Sequence, residues 1–267
     1  MSRAYFAHLW RANRVRLLIV TAALVLWGSL LPIIYDAFGQ QFKDLMASGL
    51  IPRQMAEFGG GDIFSLTGSV ALGFIHPFAV ALNLVFSVGF AGAAIAGERQ
   101  RGTLEVLLAR PISRRRAYAT AFAAAALFVA VTVAGLTAGA LAGTVATGRV
   151  DELGPGNLPV LWLNALLLYG AFASVALAAS VSFDRLTPAL GVALAFVLVS
   201  YFFEALGSLW PDASFLQAYS LFHYLDARAD LSGTPAASGF AILAAVIVAC
   251  VAYALVVFPR RDLGAPS

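Results

Sequence analysis

Charge is confined to short segments of this chain, and the stretches between them are long and apolar. Six runs contain no Asp, Glu, Lys or Arg, and each is about long enough to cross a bilayer as a helix of roughly 20 residues. They are residues 17–34, 74–96, 117–142, 161–183, 186–203 and 236–258. Blocks of this length favour helices over the roughly ten-residue strands of a membrane barrel. The pattern predicts an all-α integral membrane protein with six transmembrane helices, in which residues 1–267 form a single transmembrane domain.

Composition and charge agree with this reading and add an orientation. Hydrophobic residues make up 61% of the chain and charged residues 12%, about half the charge of a soluble domain. Basic residues concentrate in cytoplasmic loops. If the N-terminus is placed in the cytoplasm, the segments on that side hold thirteen of the seventeen basic residues. We therefore expect both termini to be cytoplasmic. The Arg-rich, Lys-poor usage indicates a bacterial plasma (inner) membrane.

Short elements are predicted around the spans. Residues 2–13 mix aromatic residues with arginines at helical spacing, which predicts an amphipathic helix in the membrane interface ahead of the first span. The segment 35–75 is too apolar for a free loop, and the aromatic residues of 204–235 suit the membrane interface. We expect short extracytoplasmic helices before the second and sixth spans. His76 and Pro77 are expected to open the second span, since proline suits a helix start or a kink.

Three glycines in the third span are spaced by four residues: Gly135, Gly139 and Gly143. Such a face lets two membrane helices approach closely. The sequence favours packing against a helix of the same chain, with a second copy as the alternative.

The segment 97–116, GERQRGTLEVLLARPISRRR, is the most unusual part of the chain, because eight of its twenty residues are ionic and both flanks are apolar. We expect Thr103 to cap a short helix, Pro111 to end it and Ser113 to cap the next span. Leu104, Leu107 and Leu108 would form an apolar face beside Glu105. Such a face either docks into a groove of another protein or lies on lipid headgroups, and the physics alone does not choose between these two.

The same segment resembles the signature of the permease subunits of type 2 ABC transporters, the ABC-2 exporters. The resemblance is carried by Gly97, Glu98, Arg99, Gly102, Thr103, Leu104, Glu105, Leu107, Leu108, Pro111, Ile112, Ser113 and Arg114. In that family this segment contains the coupling helix, which contacts the ATPase.

The resemblance implies specific roles for the matching residues. The residues expected to dock the ATPase are Gly102, Thr103, Leu104, Glu105, Leu107, Leu108 and Pro111. Independently of the resemblance, Glu98 and Arg99 at the inner mouth form a candidate inner gate if they pair with arginines of the neighbouring coupling region, or a structural salt bridge without gating if they do not. The resemblance further implies two permease copies, as a homodimer or a heterodimer, two separate ABC ATPase subunits, and outward transport.

Several functions are disfavoured by what the sequence lacks. The chain contains no G-x-x-x-x-G-K-[ST] loop, so we expect it to bind no cofactor directly and the partner to use ATP and Mg²⁺. No zinc motif, nucleophile elbow or paired carboxylates indicate an intramembrane enzyme or a metal site, and no nucleic acid is expected as a partner.

Two other functions remain open. One is a membrane anchor that recruits an ATPase without transporting anything. The other, less favoured, is a carrier or channel that works without ATP, because the six apolar runs lack the ionisable groups that ion coupling needs. The smooth apolar spans suit a lipophilic or amphiphilic cargo.

Overall fold

The computed structural model describes residues 2–48, 65–109 and 112–261, and every regular element in those ranges is helical. The α-helices in chain order are α1 Arg3–Ala47, α2 Leu66–Ile75, α3 Pro77–Leu84, α4 Ala96–Gln100, α5 Thr103–Leu108, α6 Arg114–Ala146, α7 Val150–Leu153, α8 Leu158–Ser182, α9 Leu186–Leu209, α10 Ala227–Leu231 and α11 Ala237–Arg260. A π-helix, Val85–Phe90, and a last turn, Ala91–Ala93, extend α3. The 3₁₀ segments are Pro155–Asn157, Pro211–Tyr219 and Phe222–Tyr224.

The all-α membrane class is confirmed. Five described helices (α1, α6, α8, α9 and α11) are long and apolar enough to cross a bilayer, and α2 with α3 makes a sixth if this bent pair counts as one span. The predicted interfacial helix is not separate, because α1 runs without interruption from Arg3. The residues between the amphipathic segment and the first apolar run include no glycine or proline that would end a helix.

The second span begins at the predicted place, but with a bend. His76 has an extended backbone, with φ −60° and ψ 138°, and its Nδ1 accepts a hydrogen bond from the Phe78 backbone N–H at 3.2 Å. Pro77 occupies the first turn of α3 and disfavours a helical conformation for the residue before it. As a result α2 and the helix from Pro77 to Ala93 meet at 42°. The bend lies at the predicted His76–Pro77 position, inside the apolar run 74–96.

Short helices also precede the last span, as predicted. The 3₁₀ segments after α9 lead into α10, whose N-terminus is capped by Asp226 accepting from the Ala229 N–H at 2.9 Å. The described part of the chain thus places short helices before both the second and the sixth spans, while residues 49–64 lie outside it.

Helix α8 is the centre of the bundle. In its most apolar eighteen-residue window 61% of residues are buried, compared with 11% in α11 and 28% in α1 and in α9. Buried polar side chains join neighbouring helices of the bundle. Thr132 of α6 donates to Asn83 Oδ1 of α3 at 2.9 Å, and the Tyr169 hydroxyl of α8 donates to the Phe74 carbonyl of α2 at 2.9 Å. The outer faces of α1, α9 and α11 are left for lipid or for another subunit.

Helices α1 and α6 approach each other along a ladder of small residues. A Cβ atom added to Gly139 would lie 2.2 Å from the Val25 carbonyl oxygen, and one added to Gly143 would lie 2.4 Å from the Ser29 oxygen. Gly135 faces Thr21 in the same way. From the other side, a Cβ on Gly28 would lie 2.4 Å from the Leu136 oxygen. The predicted glycine face therefore lies against the first span of the same chain, with the two backbones in contact.

Gly139→Ala tests this contact. The new methyl group overlaps backbone atoms of α1 that cannot move aside, and overpacking of this kind costs about 1–3 kcal/mol. We expect the thermal unfolding midpoint of the purified chain in detergent to fall. Gly191→Ala in α9 is the matched control, because no atom lies within 4 Å of its added Cβ. Equal midpoints for the two variants would contradict the close approach.

Candidate functional site

One end of the bundle collects the elements that the sequence associates with coupling. Ser2 N–H donates to Thr120 Oγ1 at 2.9 Å, which fixes the start of α1 against α6. Arg114 Nη1 donates to the Phe258 and Pro259 carbonyls at 3.3 Å and thereby joins the start of α6 to the end of α11. We call this the arginine-rich end. It comprises the first turns of α1, the segment α4–α5, the α8–α9 hairpin at 183–185 and the end of α11.

A left-handed glycine positions the short helix α5. Gly102 has φ +71° and open space around it, so the backbone angle itself favours glycine there. Thr103 does not cap the helix as predicted, because Gly102 occupies the cap position. The Thr103 hydroxyl instead contacts the preceding helix, bonding the Glu98 carboxylate Oε2 at 2.6 Å and the Glu98 carbonyl at 3.1 Å. Glu98 also pairs with Arg101. These contacts lock the turn between α4 and α5.

The leucine face of α5 is directed into the chain. Leu104 is 1% exposed, and Leu107 and Leu108 are half-buried against the same core. The outward stripe is formed by Gly102, Glu105, Val106 and Ala109, and Val106 is 66% exposed. Leu104 is therefore unavailable to a partner, because a short helix under the ends of the spans buries its most apolar side there. Pro111 lies outside the described residues.

Ion pairs connect this segment to two other elements. Arg99 Nη1 lies 2.7 Å from Asp184 Oδ1 in the α8–α9 hairpin, and Arg261 after α11 pairs with the same carboxylate oxygen. Arg261 Nη1 also donates to the Val181 carbonyl at 2.7 Å. The residues of the candidate inner gate thus find partners within this chain: Arg99 pairs with Asp184, and Glu98 with Arg101 and Thr103.

Ser180 is a functional position that sequence reasoning missed. The second span breaks before α4, which leaves the N–H groups of Ile95 and Ala96 without helical partners. Ser180 Oγ accepts from both, at 3.0 and 2.9 Å, and donates to the Gly92 carbonyl at 2.7 Å. A serine in an apolar span was the only signal. Its fully buried side chain fixes the junction between the second span and α4.

Glu204, a buried carboxylate at the opposite end of the bundle, shows that the expectation of spans without ionisable residues was wrong. Helix α9 continues to Leu209 instead of ending with the apolar run at residue 203, so Glu204 lies inside a candidate span. Its side chain is buried, and Gln217 Nε2 donates to its Oε1 at 3.0 Å. Its Oε2 has no hydrogen-bond partner among the described residues and lies 3.9 Å from His223 Nδ1. The lack of ionisable groups is therefore a weaker argument against ion coupling.

Asp230 is a second buried carboxyl at that end, in the short helix α10. It is 1% exposed, and Asn164 of α8 donates to its Oδ2 at 2.8 Å. Burial raises the pKa of Asp230 from 3.8 to about 6; the Asn164 hydrogen bond lowers it and the Asp226 charge raises it further. Asn164 Oδ1 is buried without a hydrogen-bond partner among the described residues.

This raised pKa predicts a pH-dependent stability. Because the carboxyl binds its proton more tightly in the folded state, its contribution of about 3 kcal/mol is fully present below about pH 4 and is lost as the pH rises through about 6. Asp230→Asn keeps the contact with Asn164 and cannot ionise. We expect its unfolding midpoint relative to that of the wild type to rise between pH 5 and 8. The exposed Asp151→Asn is the control, and a constant difference for Asp230→Asn would contradict the burial cost.

Comparison with known proteins identifies the family. A family model described as "ABC-2 family transporter protein" matches residues 11–263, which is nearly the whole chain. A search of curated proteins finds no match. The matched family accounts for the multi-pass helical fold. The chain belongs to the ABC-2 transporter family, as the membrane subunit of an ABC transporter that works with a partner ATPase subunit.

Proposed function

We propose that this chain couples ATP hydrolysis by a separate ATPase to the outward movement of a lipophilic or amphiphilic cargo. The working unit contains two permease copies and two ATPases in a bacterial plasma membrane, with both termini and the arginine-rich end in the cytoplasm. ATP and Mg²⁺ bind to the ATPase. Helix α5 is the coupling helix, and its outward stripe contacts the ATPase.

The observation that carries the proposal is the combination of an exposed stripe and a firm attachment. Glu105, Val106 and Ala109 face away from the chain, whereas Leu104 anchors α5 to the core. A push on the stripe therefore passes into the helix instead of detaching it. From α4 the displacement reaches Asp184 through Arg99, and from Asp184 it reaches Arg261 at the end of α11.

Val106→Asp tests the docking surface. Because Val106 is 66% exposed, a carboxylate there leaves the core of the chain intact, but it places a charge in an apolar contact with the ATPase. We expect the amount of an ABC ATPase that co-purifies with the chain to fall about tenfold, as the loss of a central contact worth ~1.4 kcal/mol implies.

The control is the same substitution at Val145, near the C-terminal end of α6 and away from α5. Val145 is 58% exposed, and Val145→Asp should leave association unchanged. Normal assembly of the Val106→Asp variant would show that the ATPase does not contact α5 through this stripe.

Asp184→Asn separates transport coupling from simple anchoring. The amide removes the charge that Arg99 and Arg261 share, without touching the docking stripe. We expect the ATPase to associate as before while its stimulation by this chain falls about fivefold, consistent with partly exposed ion pairs worth about 1 kcal/mol.

The exposed acid Asp212 at the opposite end provides the control, and Asp212→Asn should change neither property. ATP turnover would be compared in proteoliposomes with equal amounts of bound ATPase. If Asp184→Asn kept full stimulation, the network would not transmit force, and the anchor hypothesis would gain support.

A further inference from the structure

The arginine-rich end contains a cleft between α1, the end of the second span and α5, and Val106 of the outward stripe lies at its edge. One cavity of about 300 Å³ lies between α1 and the end of the second span, and a second of about 680 Å³ lies between the first turns of α1 and α5. His8 and Glu98 line both cavities, so they are neighbouring parts of one cleft. Volumes of roughly 300–1,000 Å³ are typical of small-molecule sites.

The walls of the first cavity are divided between apolar and cationic groups. Leu9 of α1 and Phe90 and Ala93 of the second span supply apolar surface. Arg16 and Arg101 supply guanidinium groups. Helical side chains lean toward the N-terminus of their helix, so the Arg16 side chain leans toward the cytoplasmic part of the cleft. Such a lining suits a molecule with one apolar part and one anionic part.

The positive charge in this cleft is only partly neutralised. Arg101 pairs with Glu98, the acid that lines the cavity. Arg16 has neither an ion pair nor a hydrogen bond with any described residue. The Arg16 side chain is exposed, so its guanidinium donors are free to reach a ligand, and their planar arrangement matches a phosphate or a carboxylate.

Local backbone structure opens the cavity on the side of the second span. Gly89 lies in the π-helix and lines the first cavity. A Cβ added there would meet only the Leu84 carbonyl, at an ordinary 3.6 Å. π-Helical turns inside α-helices are frequent at functional sites, and here the turn carries a residue without a side chain to the cavity wall.

A buried hydroxyl in the second cavity is an independent sign of a polar ligand. Tyr5 lines that cavity and is 6% exposed, and its hydroxyl oxygen has no hydrogen-bond partner among the described residues. A buried hydroxyl without a partner is unfavourable, and an acceptor entering the cleft would satisfy it.

We infer that this cleft binds an amphiphile with an acidic headgroup, a phosphate or a carboxylate. Arg16 holds the headgroup, and the apolar tail lies along Phe90 and Ala93. Glu98 borders the bound headgroup and is hydrogen-bonded to Thr103 at the start of α5, so occupancy acts on the coupling helix. Binding is a property of this chain alone, whereas the role of the amphiphile as cargo rests on the proposed function.

Binding is tested on the full chain in a neutral maltoside detergent, with thermophoresis as the readout. The probes are n-dodecyl phosphate, dodecanoate, uncharged dodecanol and inorganic phosphate. We expect the two acidic amphiphiles to bind at least about tenfold more tightly than dodecanol or inorganic phosphate, since a charge-assisted pair and the buried tail each add about that factor. Equal binding of dodecanol and dodecyl phosphate would overturn the inference.

Variants then locate the site. Arg16→Gln should weaken dodecyl phosphate binding about tenfold, whereas Arg14→Gln should not, because Arg14 is exposed on the same helix, as Arg16 is, but lines neither cavity. Gly89→Leu fills the first cavity without changing charge and should also weaken binding. Equal losses in Arg14→Gln and Arg16→Gln would reveal general attraction to arginines and would overturn the assignment.

Two measurements identify the source of the amphiphile. If it is cargo, dodecyl phosphate raises ATP turnover of the complex in proteoliposomes, and Arg16→Gln removes this increase. If it is a resident lipid, one acidic phospholipid co-purifies with the chain, is lost in Arg16→Gln, and turnover does not respond to dodecyl phosphate. Both results support the site. The proposed function is tested separately, because it fails if the Val106→Asp variant associates normally with the ATPase. That result would not change the binding of dodecyl phosphate to the wild-type chain.

Discussion

The backbone contact between α1 and α6 determines how the rest of this structure is arranged. Membrane helices gain little from hydrophobic burial against each other, because lipid is as apolar as a neighbouring helix, so close packing of small residues supplies much of the attraction. Gly139 and Gly143 place α6 directly against Val25 and Ser29 of α1. Helix α6 starts just after the coupling segment. The same contact therefore fixes the first turns of α1 beside α4 and α5, where they form one wall of the cleft.

The ion pairs at the arginine-rich end matter for geometry more than for stability. Asp184 is 60% exposed, and exposed pairs typically contribute less than about 1 kcal/mol. However, one carboxylate contacts Arg99 after the second span and Arg261 after the sixth, and both arginines are largely covered. Three elements that are far apart in sequence consequently share one contact point. Such a contact transmits displacement and can still exchange partners at low cost.

The large-scale features of this fold can be predicted from sequence because they depend on whole segments. Six apolar runs and one charged segment between the second and third set the class, the family and the region of the candidate site. Details decided by a few atoms cannot be predicted in this way. The leucines of α5 suggest a docking face, but Leu104 is buried and Leu107 and Leu108 are half-buried, because the ends of the spans offer an apolar surface nearby.

Side-chain partners far away in sequence explain the other differences. Glu204 ends the fifth apolar run, yet the helix continues because Gln217, from the following 3₁₀ segment, covers the carboxylate. Ser180 is one serine among several in apolar spans, and only the break before α4 gives it two N–H groups to accept. Thr103 fits an N-cap pattern, but the left-handed Gly102 takes that position and leaves its hydroxyl to Glu98.

The two ends of the bundle differ in how their polar groups are held, and this difference has a mechanical consequence. At the arginine-rich end, Asp184 and Arg101 are mostly exposed, so water can replace each partner during a movement. At the opposite end, Asp230 and Asn164 are buried, and so is the Glu204 carboxylate that Gln217 contacts, so breaking either pair would strand a buried polar group at a cost of about 1–3 kcal/mol or more. Breaking these exposed pairs therefore costs less than breaking the buried pairs at the opposite end. A partner that pushes on α5 acts on the end of the bundle whose polar contacts break at lower cost.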